Sequence, residues 1–271
     1  AFCNFAAMTK TLETLEFDIQ DSVAHIVLNR PKAANAINLQ MAKDLMEAAL
    51  HCDEDPSVRA ILIGAHGKMF CAGGDIGAFA TAGDKMPGLL KEMTTYLHAA
   101  TSLLARCRAP VIAAVGGTAA GAGFSLAASA DLVLASEEAR FTMAYTQVGL
   151  TPDGSSTYFL PRLIGKRRAM ELMLTNRVLS AAEALEWGIV NRVVPGAELG
   201  AASHALATQL ASGPTEAFGG VKKLLASSDV EGFESQLQLE SLAISNSART
   251  QDAKAGVEAF LAKKRATFNG S

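Results

Sequence analysis

Hydrophobic and polar positions alternate through LETLEFDIQ, Asp21-Ser22 offers a turn, and VAHIVLN returns, which predicts a β-hairpin over residues 11–29. The period then lengthens. Asn38 stands in front of a helical pattern that puts Leu39, Met41, Ala42, Leu45 and Met46 on one side and ends near Asp55-Pro56. The apolar run from Val58 to Gly64 reads as a buried strand. Strand, helix, strand is a βαβ unit. A second unit follows: a helix from about Met86 to Arg106, a strand over Val111–Val115, a small-residue loop, a short helix, and a strand over Asp131–Ala135. Beyond Pro152 the pattern is almost wholly helical, most clearly in AAEALEWG, ELGAASHALATQLA, PTEAFGGVKKLLA and GVEAFLAKKRATF. The fold class is α/β, with repeated α/β turns followed by a helical last third.

Composition narrows the function. The chain has 271 residues, 49% of them hydrophobic, which is ample for a large core. A net charge of −3 and only 19% charged residues leave no basic face for nucleic acid, so an anionic ligand must be held by local groups. Cys3, Cys52, Cys71 and Cys107 have neither CxxC nor metal spacing and read as reduced thiols of a cytoplasmic protein. The weakly polar stretch from Ala109 to Ala130 is broken by Pro110 and by Gly116, Gly117, Gly121 and Gly123, so strand, loop and helix fit it better than a membrane span. The opening AFCNFAA, ahead of Met8, lacks the basic start and apolar core of a signal peptide and reads as a remnant or a leader.

Two corners are unusual. The first strand unit runs into FCAGGDIGAF (residues 70–79) and the second into GGTAAGAGFS (residues 116–125). Each is a glycine-rich strand end that opens a helix and leaves backbone N–H groups free. If the two converge, they can cradle an oxyanion. The competing reading is close helix–sheet packing, where small residues save space. A dinucleotide fingerprint lacks its third glycine and a phosphate loop lacks GK[ST].

FCAGGDI, then PVIAAVGGTAAGAGFSLA and ADLVLASEEARF, together resemble the crotonase superfamily, the enoyl-CoA hydratases and isomerases. LNRPKAANAIN, GKRRAMELMLTNRVLSAAEALEWGIVNRVV and GVEAFLAKKRATF extend the resemblance over nearly the whole chain from about residue 12. It implies a ββα spiral core, taken as residues 8–205, and a helical C-terminal trimerisation region, taken as 206–271, with assembly as a homotrimer or a dimer of trimers. It also implies an acyl-CoA thioester substrate, with coenzyme A arriving as part of that substrate and no separate cofactor, metal, nucleic acid or membrane partner. The amides of Gly74 and Ala122 would then hold the thioester oxygen, with Ala72, Gly73 and Asp75 shaping the same corner. The nucleotide end would meet Lys32, Ala34, Ala72, Asp75 and Ile76, and Phe260 and Lys263 from a neighbouring subunit.

The proton-moving groups decide the reaction. Hydratases of this family carry two glutamates, and the matching positions are Ser125 and Tyr145, neither of them a carboxylate. Asp153, in GLTPDGSST, matches the acidic residue of Δ3,Δ2-enoyl-CoA isomerases and of ring isomerases of phenylacetate breakdown. The competing reading makes Asp153 a helix N-cap. His98, twelve residues before Pro110, matches a catalytic histidine of the 4-chlorobenzoyl-CoA dehalogenases. The positions that match the aromatic pocket of those enzymes hold Gly74, Leu97 and Tyr145, only the last aromatic. An enoyl-CoA isomerase is therefore expected, with a hydratase, a dehalogenase-like hydrolase and a non-catalytic binding protein as alternatives.

Overall fold

In the computed structural model, which describes residues 12–271, the hairpin forms from β1 (Leu15–Gln20) and β2 (Val23–Leu28). They pair antiparallel with Leu15 opposite Leu28 and Gln20 opposite Val23. Asp21 and Ser22 both take positive φ (49° and 65°), the turn whose twist suits a two-residue hairpin. The opening heptapeptide, Cys3 and the start assigned to the core at residue 8 lie outside the described residues.

Helix α1 (Leu39–Glu54) begins where Asn38 Oδ1 accepts the Met41 N–H at 2.9 Å and buries Met41, Ala42, Leu45 and Ala48. Strand β3 (Ala60–Ala65) lies parallel to β2. The next element was not expected. β4 (Met69–Cys71) leaves the first sheet and begins a second one. Helices α2 (Ile76–Ala82) and α3 (Met86–Arg106) follow. The step then repeats as β5 (Val111–Val115), β6 (Thr118–Ala120) and α4 (Ala122–Ala128), and again as β7 (Leu132–Ser136) and β8 (Arg140–Thr142). Each turn thus sends a long strand to one sheet and a three-residue strand to the other, the ββα spiral that the resemblance implies. A three-residue strand shows too little alternation to be seen in sequence, so β4, β6 and β8 were missed. The span from Gly77 to Pro87 is mostly α2 and a short 3₁₀ turn.

The last third is not wholly helical. After α5 (Ser156–Thr175), bent at Gly165, β9 (Leu179–Ser180) closes the four-stranded sheet β4-β6-β8-β9. After α6 (Ala181–Glu186), β10 (Arg192–Val194) extends the larger sheet to the order β1-β2-β3-β5-β7-β10. Helix α7 (Leu199–Ala211) then packs Leu199, Ala207 and Ala211 on Val23, Ala60, Leu62, Ile112 and Leu134. The opposite face of the same strands, with Ala24, Ile61 and Ile63, joins the main core. Burial on both faces explains why β3 is apolar throughout. The boundary expected between 205 and 206 falls inside α7, a layer of the core, so α8 (Thr215–Ser228), α9 (Phe233–Ser247) and α10 (Gln251–Leu261) make up the outlying helical region. No described helix is long and apolar enough to cross a membrane.

One polar contact ties α8 to the core. The nearly buried Lys222 ammonium meets the Asp131 carboxylate at 2.7 Å and the carbonyls of Leu104 and Ala109 at 3.0 Å each. Burial pushes the Asp131 carboxyl up, and Lys222 opposes that push. Lys222→Met would leave the carboxylate and two carbonyls without their cation. The Asp131 side chain keeps 29% of its surface in solvent, so the cost is that of leaving partly buried polar groups unpaired, and urea unfolding of Lys222→Met is expected to show a loss of about 1–3 kcal/mol.

Candidate active site

The two glycine-rich corners meet. At the first, the Ala72 N–H donates to the Ala34 carbonyl at 3.0 Å, Gly73 turns with φ 93°, and Gly74 pairs with Ile37 in a parallel bridge. At the second, Gly121 turns with φ 50° and Ala122 opens α4. A Cβ on Gly73 would stand 3.0 Å from the Ala120 carbonyl oxygen and 3.4 Å from the Ala122 nitrogen. One on Gly123 would come within 2.5 Å of the Cys71 carbonyl oxygen. Close packing is therefore a real reason for these glycines, and it sets the two corners against each other. Among the described residues, neither the Gly74 nor the Ala122 N–H is taken by a backbone acceptor outside the regular elements.

Gly74 and Ala122 both border a cavity of about 360 Å³ whose walls are mostly apolar, with Phe79, Leu90, Met93, Leu97 and Leu150 prominent. Asp153 supplies the one carboxylate in that lining. Its Oδ1 accepts the Tyr145 hydroxyl at 2.5 Å, and Ser125 Oγ lies 3.1 Å from the same phenol oxygen. The two positions that hold glutamates in hydratases thus carry a linked pair, joined in turn to Asp153. Burial first, and then the charge of Asp153 and the bond to it, push ionisation of Tyr145 far above the usual phenol range, so it stays protonated. The N-cap reading of Asp153 fails at its carboxylate. The backbone carbonyl, not the side chain, receives the N–H and Oγ–H of Ser156, at 3.2 and 2.9 Å.

His98 stands elsewhere. It is exposed on α3 and its Nε2 accepts the Gly154 N–H at 3.2 Å, which requires that nitrogen to be unprotonated. It does not line the cavity but borders a second groove of about 1000 Å³ behind Asp153. Asp75 is committed to structure: Oδ1 caps α2 through the Ala78 N–H at 3.1 Å, and Oδ2 pairs with Arg30 at 3.0 Å. The Arg30 partnership could not be read from the sequence, since 45 positions separate the two residues. Lys32 is exposed on the turn before Ala34, and the Ala34–Ala72 bond brings that turn against the first corner. Ala72 and Ile76 line the cavity, whereas Phe260, in the last turn of α10, and Lys263, just beyond it, are exposed and do not.

Residues 18–271 match the family described as Enoyl-CoA hydratase/isomerase. The chain is 35% identical over 260 residues, 96% of its length and 99% of the relative's, to 1,2-epoxyphenylacetyl-CoA isomerase of Escherichia coli strain K12. It is 37% identical over 216 residues, 79% of its length and 78% of the relative's, to 4-chlorobenzoyl coenzyme A dehalogenase-2 of an Arthrobacter species. The solved enoyl-CoA hydratase/isomerase of Cupriavidus metallidurans CH34 superposes with a TM-score of 0.88 at 32% identity, covering 95% of this chain and 97% of that one. A shared fold and this breadth of match lead to one conclusion: the chain belongs to the enoyl-CoA hydratase/isomerase family.

Proposed function

We propose that the protein is an enoyl-CoA isomerase that shifts a double bond through a thioester enolate, with Asp153 as its single base. The observation that carries this reading is the lone carboxylate in a largely apolar cavity bordered by Gly74 and Ala122. The amides of Gly74 and Ala122 donate to the thioester oxygen, where negative charge gathers as the α carbon loses its proton. Asp153 takes that proton from a 3-enoyl thioester and returns it to the γ carbon, giving the conjugated 2-enoyl product. The α and γ carbons belong to one conjugated dienolate, so a single carboxylate facing it serves both.

Hydration asks for more. It needs one group to activate water and another to protonate the α carbon, and here the second position is a phenol held neutral. A dehalogenase-like hydrolase would draw on His98, which stands outside the cavity. A binding protein without catalysis would have no use for a carboxylate beside two free amides. The exposed apolar side chains of α9 and α10, including Phe233, Ile244 and Phe260, suit burial against other copies, and in such a trimer Phe260 and Lys263 would reach a neighbour's nucleotide site.

Incubation with trans-3-hexenoyl-CoA and, separately, 2-hexenoyl-CoA tests the reading. Conversion of the first to the 2-enoyl thioester, with little water added to the second, is the expected result. Rapid hydration of the 2-enoyl thioester that survives Asp153→Asn would overturn it.

A further inference from the structure

Ser125, Tyr145 and Asp153 form a hydrogen-bonded chain whose direction follows from counting protons. An ionised carboxylate only accepts, so across the 2.5 Å contact Tyr145 is the donor. With its one hydrogen committed, the phenol oxygen can only accept at its second contact, so Ser125 donates across 3.1 Å. Ser125 is wholly buried on α4, and it shares its single hydrogen between the phenol oxygen and the Gly121 carbonyl, which can only accept, at 3.2 Å. A donor feeding a phenol strengthens the bond that the phenol gives onward. Gly154 lets the arrangement close: a Cβ there would stand 3.0 Å from the Ser125 Cβ. Among the described residues, no side chain or amide is recorded on Asp153 Oδ2.

We infer that Tyr145, oriented by Ser125, is a positioning residue that holds Oδ1 of Asp153 and leaves Oδ2 as the atom that exchanges protons with the substrate. The inference rests on the reading of Asp153 as the base and goes beyond it, since it gives the two glutamate-replacing residues a joint task. The same pair sets a neutral donor where a second carboxylate would activate water, and so turns the site away from hydration.

The test uses Tyr145→Phe, which removes the hydroxyl and keeps the ring, with Ser125→Ala as a second variant. In protein labelled with ¹³C at the aspartate carboxyl, Asp153 is assigned by its loss in Asp153→Asn and then titrated. A donor to the carboxylate favours its charged form, so deleting the donor favours the acid and the midpoint rises. The expected rise in Tyr145→Phe is about one pH unit, with a smaller rise in Ser125→Ala. The acidic limb of kcat/KM moves upward by the same amount, and kcat falls about tenfold with KM little changed. A midpoint unchanged in Tyr145→Phe overturns the inference, whatever the activity. A midpoint that rises while Asp153→Asn still isomerises upholds the positioning and removes the base assignment instead.

Discussion

Asp153→Asn is expected to lower kcat for 3-enoyl-CoA isomerisation by about 10²–10⁴-fold, the range a positioned acid–base group contributes. The substitution is close to isosteric. An amide oxygen still accepts the Tyr145 hydroxyl now given to Oδ1, so the local structure has no reason to change. What disappears is basicity, because an amide does not take a proton from carbon at neutral pH. KM and the binding of free coenzyme A should stay near their original values, since the corner amides and the apolar walls are untouched. The measurement is steady-state kinetics on trans-3-hexenoyl-CoA, with thermal unfolding as a control for the fold. Retention of more than a tenth of kcat with an intact fold would move the base elsewhere, and Tyr145, held protonated, would be a poor replacement.

What could be read from the sequence divides by length scale. The hairpin, α1 and α3 are long enough for their hydrophobic period to repeat, and their capping and turn residues, Asn38 and Asp21-Ser22, act over a few positions. β4, β6 and β8 have no such signal, because what defines them is a partner tens of residues away. The corners were visible as glycine runs, but spacing left open whether the glycines save space or present amides. Gly123 against Cys71 and Gly73 against Ala122 show that the glycines let the two corners pack closely, and presentation of the amides belongs to the proposed function. Tyr145 and Asp153 were each singled out, yet their contact was not foreseen. The chain between them reverses through Gly149, at positive φ, and such a path leaves no periodic trace. His98 sits on a helix read correctly, and it borders a second groove that Asp153 also lines, bonded to the neighbouring Gly154, a contact 56 positions apart that its helical period could not show.

Ala122→Pro is expected to cost about 10²–10³-fold in turnover, the loss seen when one oxyanion donor is removed. A backbone donor cannot be deleted by changing a side chain, but proline deletes the N–H itself. The position tolerates it on backbone grounds. Ala122 is the first residue of α4, where proline's fixed φ suits a helix and no intrahelical bond is lost, and the preceding Gly121 is free of the restriction proline imposes on bulkier neighbours. The ring carbon that replaces the hydrogen would also stand where the thioester oxygen docks, so enoyl-CoA turnover should fall while free coenzyme A, which has no thioester, still binds. Ala122→Ser keeps the N–H and separates loss of the donor from disturbance of the buried site. Full turnover in Ala122→Pro would mean that this amide does not meet the thioester. Loss in Ala122→Ser as severe as in Ala122→Pro would mean that packing at the second corner, not its hydrogen bond, limits the reaction.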